Sequence, residues 1–436
     1  MAVDEQKIAE APVAAFNQSF WLRLDNAAKI YPAIQNSELT AVFRLSCILK
    51  DRIRLKPLLA AIKLIEDRFP YYKVKPKAGF FWYYLEFHDE PIPLRPDLTI
   101  PCRSFKKGDL IFRILVKDTR ISVEFSHILT DGGGAFEFLK TLMLEYFGQC
   151  CITLGDEVIA LRPNEIPDKE EFEDGFSKYF QGNIPSPKKK PKSFHLVSKL
   201  NDPPRFNTLI AKLPLDQTSL RAKSYSVSVT EYLVAVYLYT LQKIYYGLSN
   251  FRKRTVRKIF RIQVPVNLRR IYHSKTMRNF SLFVTPEIDL SLGVYTFEEI
   301  AKTVHHIMQL ETDKKLINKM IARNVGAERN IWFKNIPLFI KSLILFFTYT
   351  IAGTSRYSGV ITNLGKVSLG EADKLIDHFV FIPPPPNKTL KVNCGVLGFC
   401  NNLVMSFGNI TQSRELEREF LRFLVTQGID VKVINH

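Results

Sequence analysis

The sequence holds few of the features that fix a small, secreted or membrane-spanning architecture. Its six cysteines, Cys47, Cys102, Cys150, Cys151, Cys394 and Cys400, form no Cys-x-x-Cys pair and have no histidine beside them at zinc-like spacing. Six thiols in 436 residues are no disulfide scaffold. Reduced cysteines in a cytoplasmic chain are the expectation, with no metal. A long hydrophobic run is also missing. The most apolar stretch, 335–353, is interrupted by Lys341, and the uncharged part after it falls short of the ~20 residues that a spanning helix needs. A buried or interfacial helix is expected there, with Leu338, Phe339, Phe346 and Phe347 in the core. The opening MAVDEQKIAEAPVAAF lacks the basic start and apolar middle of a secretory signal. Glycine and proline follow no strict period, which excludes a collagen-like chain, and 46% hydrophobic residues exclude a disordered one. Acidic residues are the scarcest charge: 43 Asp and Glu face 61 Lys and Arg, for a net +18. Such a surplus suits an anionic partner, whether nucleic acid, membrane or phosphorylated small molecule. No nucleic-acid motif accompanies it, so nucleic acid is not expected.

What is present reads as alternating strands and helices. Residues 41–50 put Phe43, Leu45, Cys47 and Leu49 on one face, which is strand periodicity. Pro57 suits a first helical residue, Leu58, Ile62, Ile65 and Phe69 recur at helical spacing, and Pro70 ends the run. Residues 110–117 and 120–126 read as two strands, and Asp131 opens a helix through about Phe147. A polar segment with several prolines and a lysine run, Lys188-Lys189-Lys190-Pro191-Lys192, reads as a solvated linker. We therefore expect domains over 1–185 and 207–436 joined by a linker over 186–206. In the second half, Ser228 with Glu231 and Thr296 with Glu299 are capping boxes. Residues 390–400 and 403–407 flank a hairpin turn at Asn401-Asn402, and 414–425 is a last helix. The mixture implies an α/β protein of two mixed-sheet domains.

One segment stands out chemically. His127 ends a strand, Asp131 follows four residues later, and Gly132, Gly133 and Gly134 lead into a helix. A histidine there projects into a cleft and takes up a proton near neutrality. Asp131 suits the helix N-cap, and the glycines let backbone turn tightly and approach a ligand. The competing reading is a capped helix with an incidental histidine. His88, His305 and His306 read as surface residues.

His127-x-x-x-Asp131-Gly132 resembles the signature of the acyl-CoA-dependent acyltransferases, which include chloramphenicol acetyltransferase, condensation domains, plant BAHD enzymes and microbial alcohol acetyltransferases. Val264-Pro265-Val266-Asn267-Leu268-Arg269-Arg270 with Arg278-Asn279-Phe280 resembles the family's second-domain arginine segment. Ser358-Gly359-Val360-Ile361-Thr362-Asn363-Leu364-Gly365, the opening from Arg23 to Pro32, and Phe69-Pro70 followed by Phe81-Trp82 resemble the bacterial alcohol acetyltransferase-like branch. The second histidine usual in condensation domains is replaced by Ser126, and the BAHD loop Asp-Phe-Gly-Trp-Gly is absent.

The resemblance implies two pseudo-symmetric domains with a tunnel between them and His127 midway. It implies acyl transfer from acyl-CoA to an acceptor hydroxyl, with His127 as general base and no tightly bound cofactor. Asp131 would pair with Arg269, or with Arg270, and act structurally. The oxyanion donors would be the Gly132 and Gly133 N–H groups or a polar group of Thr362 or Asn363. A basic rim of Arg252, Lys253 and Arg254 would meet the phosphates of CoA. The partners implied are a small-molecule acceptor and acyl-CoA, alternatively an acyl carrier protein, with the chain a monomer; membrane contact is not expected. The other readings are condensation-like transfer from a carrier protein and a non-catalytic binding module.

Overall fold

The structure is a computed structural model that describes residues 20–97, 100–152 and 160–434. The opening read above as no secretory signal lies outside the described residues. The architecture is mixed α/β, with helices covering mixed sheets, as the alternating pattern implies.

In the first half a five-stranded sheet runs in the order Ile376–Ile382, Val42–Leu49, Arg120–Ser126, Phe112–Lys117, Leu94–Pro96. Its edge strand, Ile376–Ile382, comes from the second half of the sequence and pairs antiparallel with Val42–Leu49. The second sheet has eight strands. It is centred on Ile259–Asn267, Gly359–Val367, Val392–Phe399 and Asn402–Asn409. A three-stranded sheet of Trp21–Arg23, Tyr83–Phe87 and Val74–Ala78 lies apart from both.

The strand Val42–Leu49 explains how the halves meet. Alternation predicts one buried face, but all eight of its residues are buried. Phe43, Leu45 and Cys47 pack into the first core, while Val42 and Ile48 join Ile210, Val380, Ile382 and Val404 in a separate cluster. The second face is therefore covered by the other half rather than by water. Its polar members are satisfied across the sheet. Arg44 stands opposite Glu124 in register and donates from Nε to Glu124 Oε1 at 2.8 Å. It also pairs with Asp97 at 2.8 Å. Arg113 approaches the other oxygen of Glu124 at 2.6 Å, and Arg120 reaches Asp97 at 2.7 Å.

Local boundaries differ from the sequence reading for identifiable reasons. The helix at Pro57 starts two residues earlier, spanning Leu55–Ile65. Proline is tolerated at its third position because the first-turn N–H groups have no intrahelical acceptor anyway. The late hairpin turns at Cys400-Asn401, since Phe399 pairs with Asn402. The segment 186–206 carries no regular element, yet it is no solvated tether. Phe194 is fully buried and stacks on Phe260 at 4.6 Å. Arg261 donates to the Pro191 carbonyl at 2.9 Å, and Lys190 reaches Glu311 at 2.6 Å.

The helix Leu338–Phe347 inverts expectation. Phe339, Phe346 and Phe347 are exposed, and its buried residue is Lys341. Lys341 Nζ finds the carbonyls of Phe81 at 2.9 Å and Lys334 at 3.2 Å, and it lies 3.7 Å from the Trp82 ring centroid. These partners hold its charge inside and turn the apolar side chains outward. Among the described residues, no helix is long and apolar enough to cross a membrane.

The buried charge network yields a stability prediction. Glu124→Ala leaves Arg44 with Asp97 alone and takes the carboxylate from Arg113, so chemical denaturation shows a loss of about 3 kcal/mol. A loss under about 1 kcal/mol means that the network is worth no more than an exposed ion pair.

Candidate active site

The helix Gly132–Gln149 is placed by its cap. Asp131 is extended at the N-cap, and its Oδ1 accepts from the N–H groups of Gly133 at 3.1 Å and Gly134 at 3.2 Å. Gly134 is the position where glycine is required. A Cβ there would lie 2.3 Å from the Met277 carbonyl and 2.3 Å from Thr130 Oγ1. That close approach brings the second half of the chain onto the motif.

The other oxygen of Asp131 crosses between the halves. Oδ2 accepts from Arg269 Nη1 at 3.0 Å and from the Phe280 N–H at 2.9 Å. Arg269 also donates to the carbonyls of Thr276 and Arg278. The strand Ser281–Val284 pairs antiparallel with Ile259–Asn267, which sets Phe280 beside Leu268 and so brings Arg269 and Phe280 to one carboxylate. Of the two candidate arginines, Arg269 makes the pair, while Arg270 lines the neighbouring cavity. Burial acts to raise the Asp131 pKa, but Arg269 and the backbone donors outweigh it, and the carboxyl stays below its usual range. Both oxygens are thus spent on holding structure.

His127 follows the strand Arg120–Ser126, and its N–H donates to the Ala41 carbonyl at 2.9 Å. The ring stacks on Tyr31 with 5.4 Å between centroids and lies 4.7 Å from Phe43. Its Nδ1 is 3.4 Å from Asn279 Oδ1. The Asn279 amide is itself oriented, because its Nδ2 donates to Asp25 Oδ2 at 3.0 Å and to the His127 carbonyl at 2.9 Å. Only the amide oxygen is left to face the ring. An oxygen accepts, so this pattern assigns the proton to Nδ1 and the lone pair to Nε2. Burial pushes the ring below the ordinary histidine pKa. The Asp131 charge, the Asn279 contact and a Thr130 backbone contact oppose that shift without reversing it. The imidazole is therefore neutral at pH 7.

Behind Asn279 sits Asp25, fully buried. Its Oδ1 accepts from the Ala28 N–H at 2.8 Å, and Arg278 lies 3.6 Å away. Burial raises its pKa to about 6 despite the arginine.

His127, Asp131, Arg269 and Asn279 line a cavity of about 2360 Å³ between the halves. Its walls include Tyr31, His127, Gly132, Gly133, Arg269, Asn279, Thr362 and Asn363. Lys188, Lys189, Lys190, Lys275, Lys319, Arg323 and Arg356 add positive charge. Of the lysine run read as solvated, Lys188 and Lys189 are exposed, and together with Lys190 they border the cavity. Arg252, Lys253 and Arg254 do not line it. They sit on the exposed helix Asn250–Thr255, which precedes the strand Ile259–Asn267, whereas the cavity takes the far end of that strand from Gln263 onward. At ~3.3 Å per residue, the length of that strand separates the two places. Closeness in sequence to the arginine segment was the basis for expecting them there.

Two proposed oxyanion donors are engaged elsewhere. The Gly133 N–H serves Asp131, and Asn363 Nδ2 donates to Thr230 Oγ1 at 2.9 Å while its Oδ1 accepts from the Gly365 N–H at 2.8 Å. The Gly132 N–H, at the first helical position, has no intrahelical acceptor. Thr362 lines the cavity from the strand Gly359–Val367. Among the described residues, no group of acidic, histidine and cysteine side chains is placed to hold a metal ion.

Neither a protein-family description nor a curated protein matches the sequence. Solved structures match over nearly the whole chain. TRI101 of Fusarium sporotrichioides, solved with coenzyme A and T-2, superposes with a TM-score of 0.63 at 10% identity, covering 95% of this chain and 100% of that one. The TRI3 trichothecene 15-O-acetyltransferase of the same fungus superposes with 0.60 at 10% identity and covers 96% of each chain. The nonribosomal peptide synthetase FmoA3 matches with 0.57 at 14% identity over 94% of this chain and 42% of its own length. The chain has the fold that these TRI101, TRI3 and FmoA3 structures share. In that fold the motif residues of this sequence, scattered over both halves, meet at one cavity.

The assigned tautomer is open to direct measurement. Nitrogen chemical shifts of ¹⁵N-histidine-labelled protein will place the His127 proton on Nδ1. In Asn279→Leu the two tautomers mix, and any activity falls further than the melting temperature does. An unchanged tautomer in the variant overturns the assignment to Asn279.

Proposed function

We propose that this chain transfers an acyl group from acyl-CoA to an acceptor hydroxyl, with His127 as general base. The observation that carries the reading is the division of labour around the motif. Asp131 is fully committed to Arg269 and backbone donors, while His127, neutral and held by Asn279, lines a cavity shared by both halves.

The chemistry follows from few groups. The acceptor O–H gives its proton to His127 Nε2 as its oxygen attacks the thioester carbonyl. The tetrahedral oxyanion is met by donors, for which the Gly132 N–H and the Thr362 hydroxyl are the candidates. One good donor contributes about 3–4 kcal/mol to the transition state. The C–S bond then breaks, and the imidazolium returns its proton to the CoA thiolate. No acyl-enzyme is needed. General-base assistance of this kind supplies roughly 10²–10⁴-fold.

Two features support CoA as the donor. The cavity exceeds the roughly 300–1,000 Å³ of an ordinary small-molecule pocket, leaving room for two substrates. Its lysines and arginines suit the phosphates of CoA. TRI101 was solved with coenzyme A and T-2, a precedent in the same fold for that pair of ligands. The acceptor is a small molecule; an acyl carrier protein in place of CoA is the alternative donor.

The test is CoA release over a panel of alcohols, amines and thiols, with carrier-bound acyl groups as a second donor. His127→Ala loses about 10²–10⁴-fold in rate with little change in melting temperature. Asp131→Ala strands Arg269 and loses stability as well, by about 3–5 kcal/mol if the pair behaves as fully buried. Equal destabilisation by the two substitutions sinks the division of roles, and His127-independent release sinks the general base. A pH profile gives a further check. Because the ring pKa lies below its ordinary value of 6.5, neutral His127 predominates at neutral pH. The rate is therefore level near neutrality and falls with acid along a limb centred below 6.5. A limb above 6.5 contradicts the buried, neutral imidazole.

A further inference from the structure

The helix Leu338–Phe347 is inside out. A surface helix of a water-soluble domain turns its apolar stripe to the core and its charges to solvent. Here the one charged residue, Lys341, is buried on the Trp82 ring and on two backbone carbonyls. Phe339 is 71% exposed and Leu343 58% exposed. The apolar surface continues beyond the helix. The Leu338 N–H donates to the Phe80 carbonyl at 2.9 Å, which fixes the Phe80-Phe81 turn beside it, and Phe80 is 73% exposed. Trp332 precedes it on the short helix Ile331–Lys334 and is 82% exposed. Exposed apolar residues scattered singly need no explanation, but a contiguous set with aromatic side chains marks a binding surface.

Charge identifies what it binds. From residue 329 to residue 370 the chain contains no Asp or Glu. Glu328, just before that stretch, is paired with Lys29. Arg329 and Lys334 flank Trp332, and Lys77 stands on the strand that runs into Phe80, where it pairs with Glu86. Aromatic and aliphatic side chains rimmed by cations, on a helix too short to span, are the composition of an element that lies in an anionic lipid interface.

The placement gives the surface a use. Phe333, Ile344 and Leu345 of these same helices line the central cavity on their other side. The outward helix is thus a wall between the cavity and its surroundings. We propose that Phe80-Phe81, Trp332 and the outward face of Leu338–Phe347 seat the protein on an anionic lipid bilayer, beside the mouth of the cavity. This surface would present a lipid-dissolved substrate to the acyl-transfer site, and only that consequence rests on the function proposed above; the docking itself does not.

The experiment uses the full chain and vesicles of phosphatidylcholine alone or mixed with phosphatidylglycerol. Sedimentation with the mixed vesicles should be at least about tenfold tighter than with phosphatidylcholine, and raised salt should weaken it. Trp332 emission should shift to the blue on binding, a change that Trp332→Phe removes. The pair Phe339→Ser with Leu343→Ser should cut binding at least about tenfold while the melting temperature and any turnover of a water-soluble acceptor hold. Failure to bind the mixed vesicles overturns the proposal, as does equal binding to both compositions or unchanged binding by the double variant. A Trp332 blue shift that rises with protein concentration in the absence of lipid, together with a dimer in light scattering, also overturns it by showing a second copy on the surface. None of the vesicle-binding readouts needs acyl-CoA. Loss of vesicle binding therefore leaves the acyl-transfer reading standing, and an inactive enzyme leaves the docking reading standing.

Discussion

The carboxylate of Asp131 is where the two halves of this chain become one site. One oxygen caps the helix Gly132–Gln149, and the other takes Arg269 and the Phe280 N–H from the second half. A carboxylate buried with a single cation would sit badly, because desolvation rivals the Coulombic gain. With four N–H donors converging on its two oxygens, the charge is satisfied from all sides, which is what holds its pKa down against burial. The consequence reaches His127 through Asn279. Phe280 and Asn279 are neighbours, so the bond that ties Phe280 to Asp131 also sets the depth at which the Asn279 amide meets the imidazole. The geometry of the base is thereby coupled to an ion pair it does not touch.

Much of this arrangement was legible in the residues. The strand–turn–helix around His127, the N-cap role of Asp131 and the capping boxes at Ser228 and Thr296 all depend on chemistry within a few positions of the chain. Such local rules survive without tertiary knowledge. Asn279 and Asp25 were visible only as members of motifs. Nothing local marks an amide as the group that orients an imidazole 152 positions away. The basic rim was placed by the same kind of proximity along the chain. Arg252, Lys253 and Arg254 are near the arginine segment along the chain, but a strand runs between them and the cavity. The lysines at 188–190, in a segment that reads as solvated, lie on the cavity wall because the segment 186–206 is anchored by Phe194 and by the carbonyl of Pro191.

Lys341 shows how one residue inverts a pattern. Read by composition, 335–353 is a core helix with a stray lysine, since burying many apolar groups is favourable and burying one ammonium is not. Two carbonyls and the face of Trp82 change that balance, because a lysine with donors satisfied and a ring beneath it loses much of its desolvation penalty. Its pKa falls on burial, which is the cost still left. Once the lysine is fixed inward, helical geometry leaves the phenylalanines no choice of face. The exposure of Phe339 and Leu343 is thus a consequence of where the charge is held. The +18 charge then has three distinct settings. Some of it lines the cavity where an anionic substrate would sit, some rims an apolar surface, and some, as at Arg44 and Arg113, is neutralised inside the sheet that joins the halves.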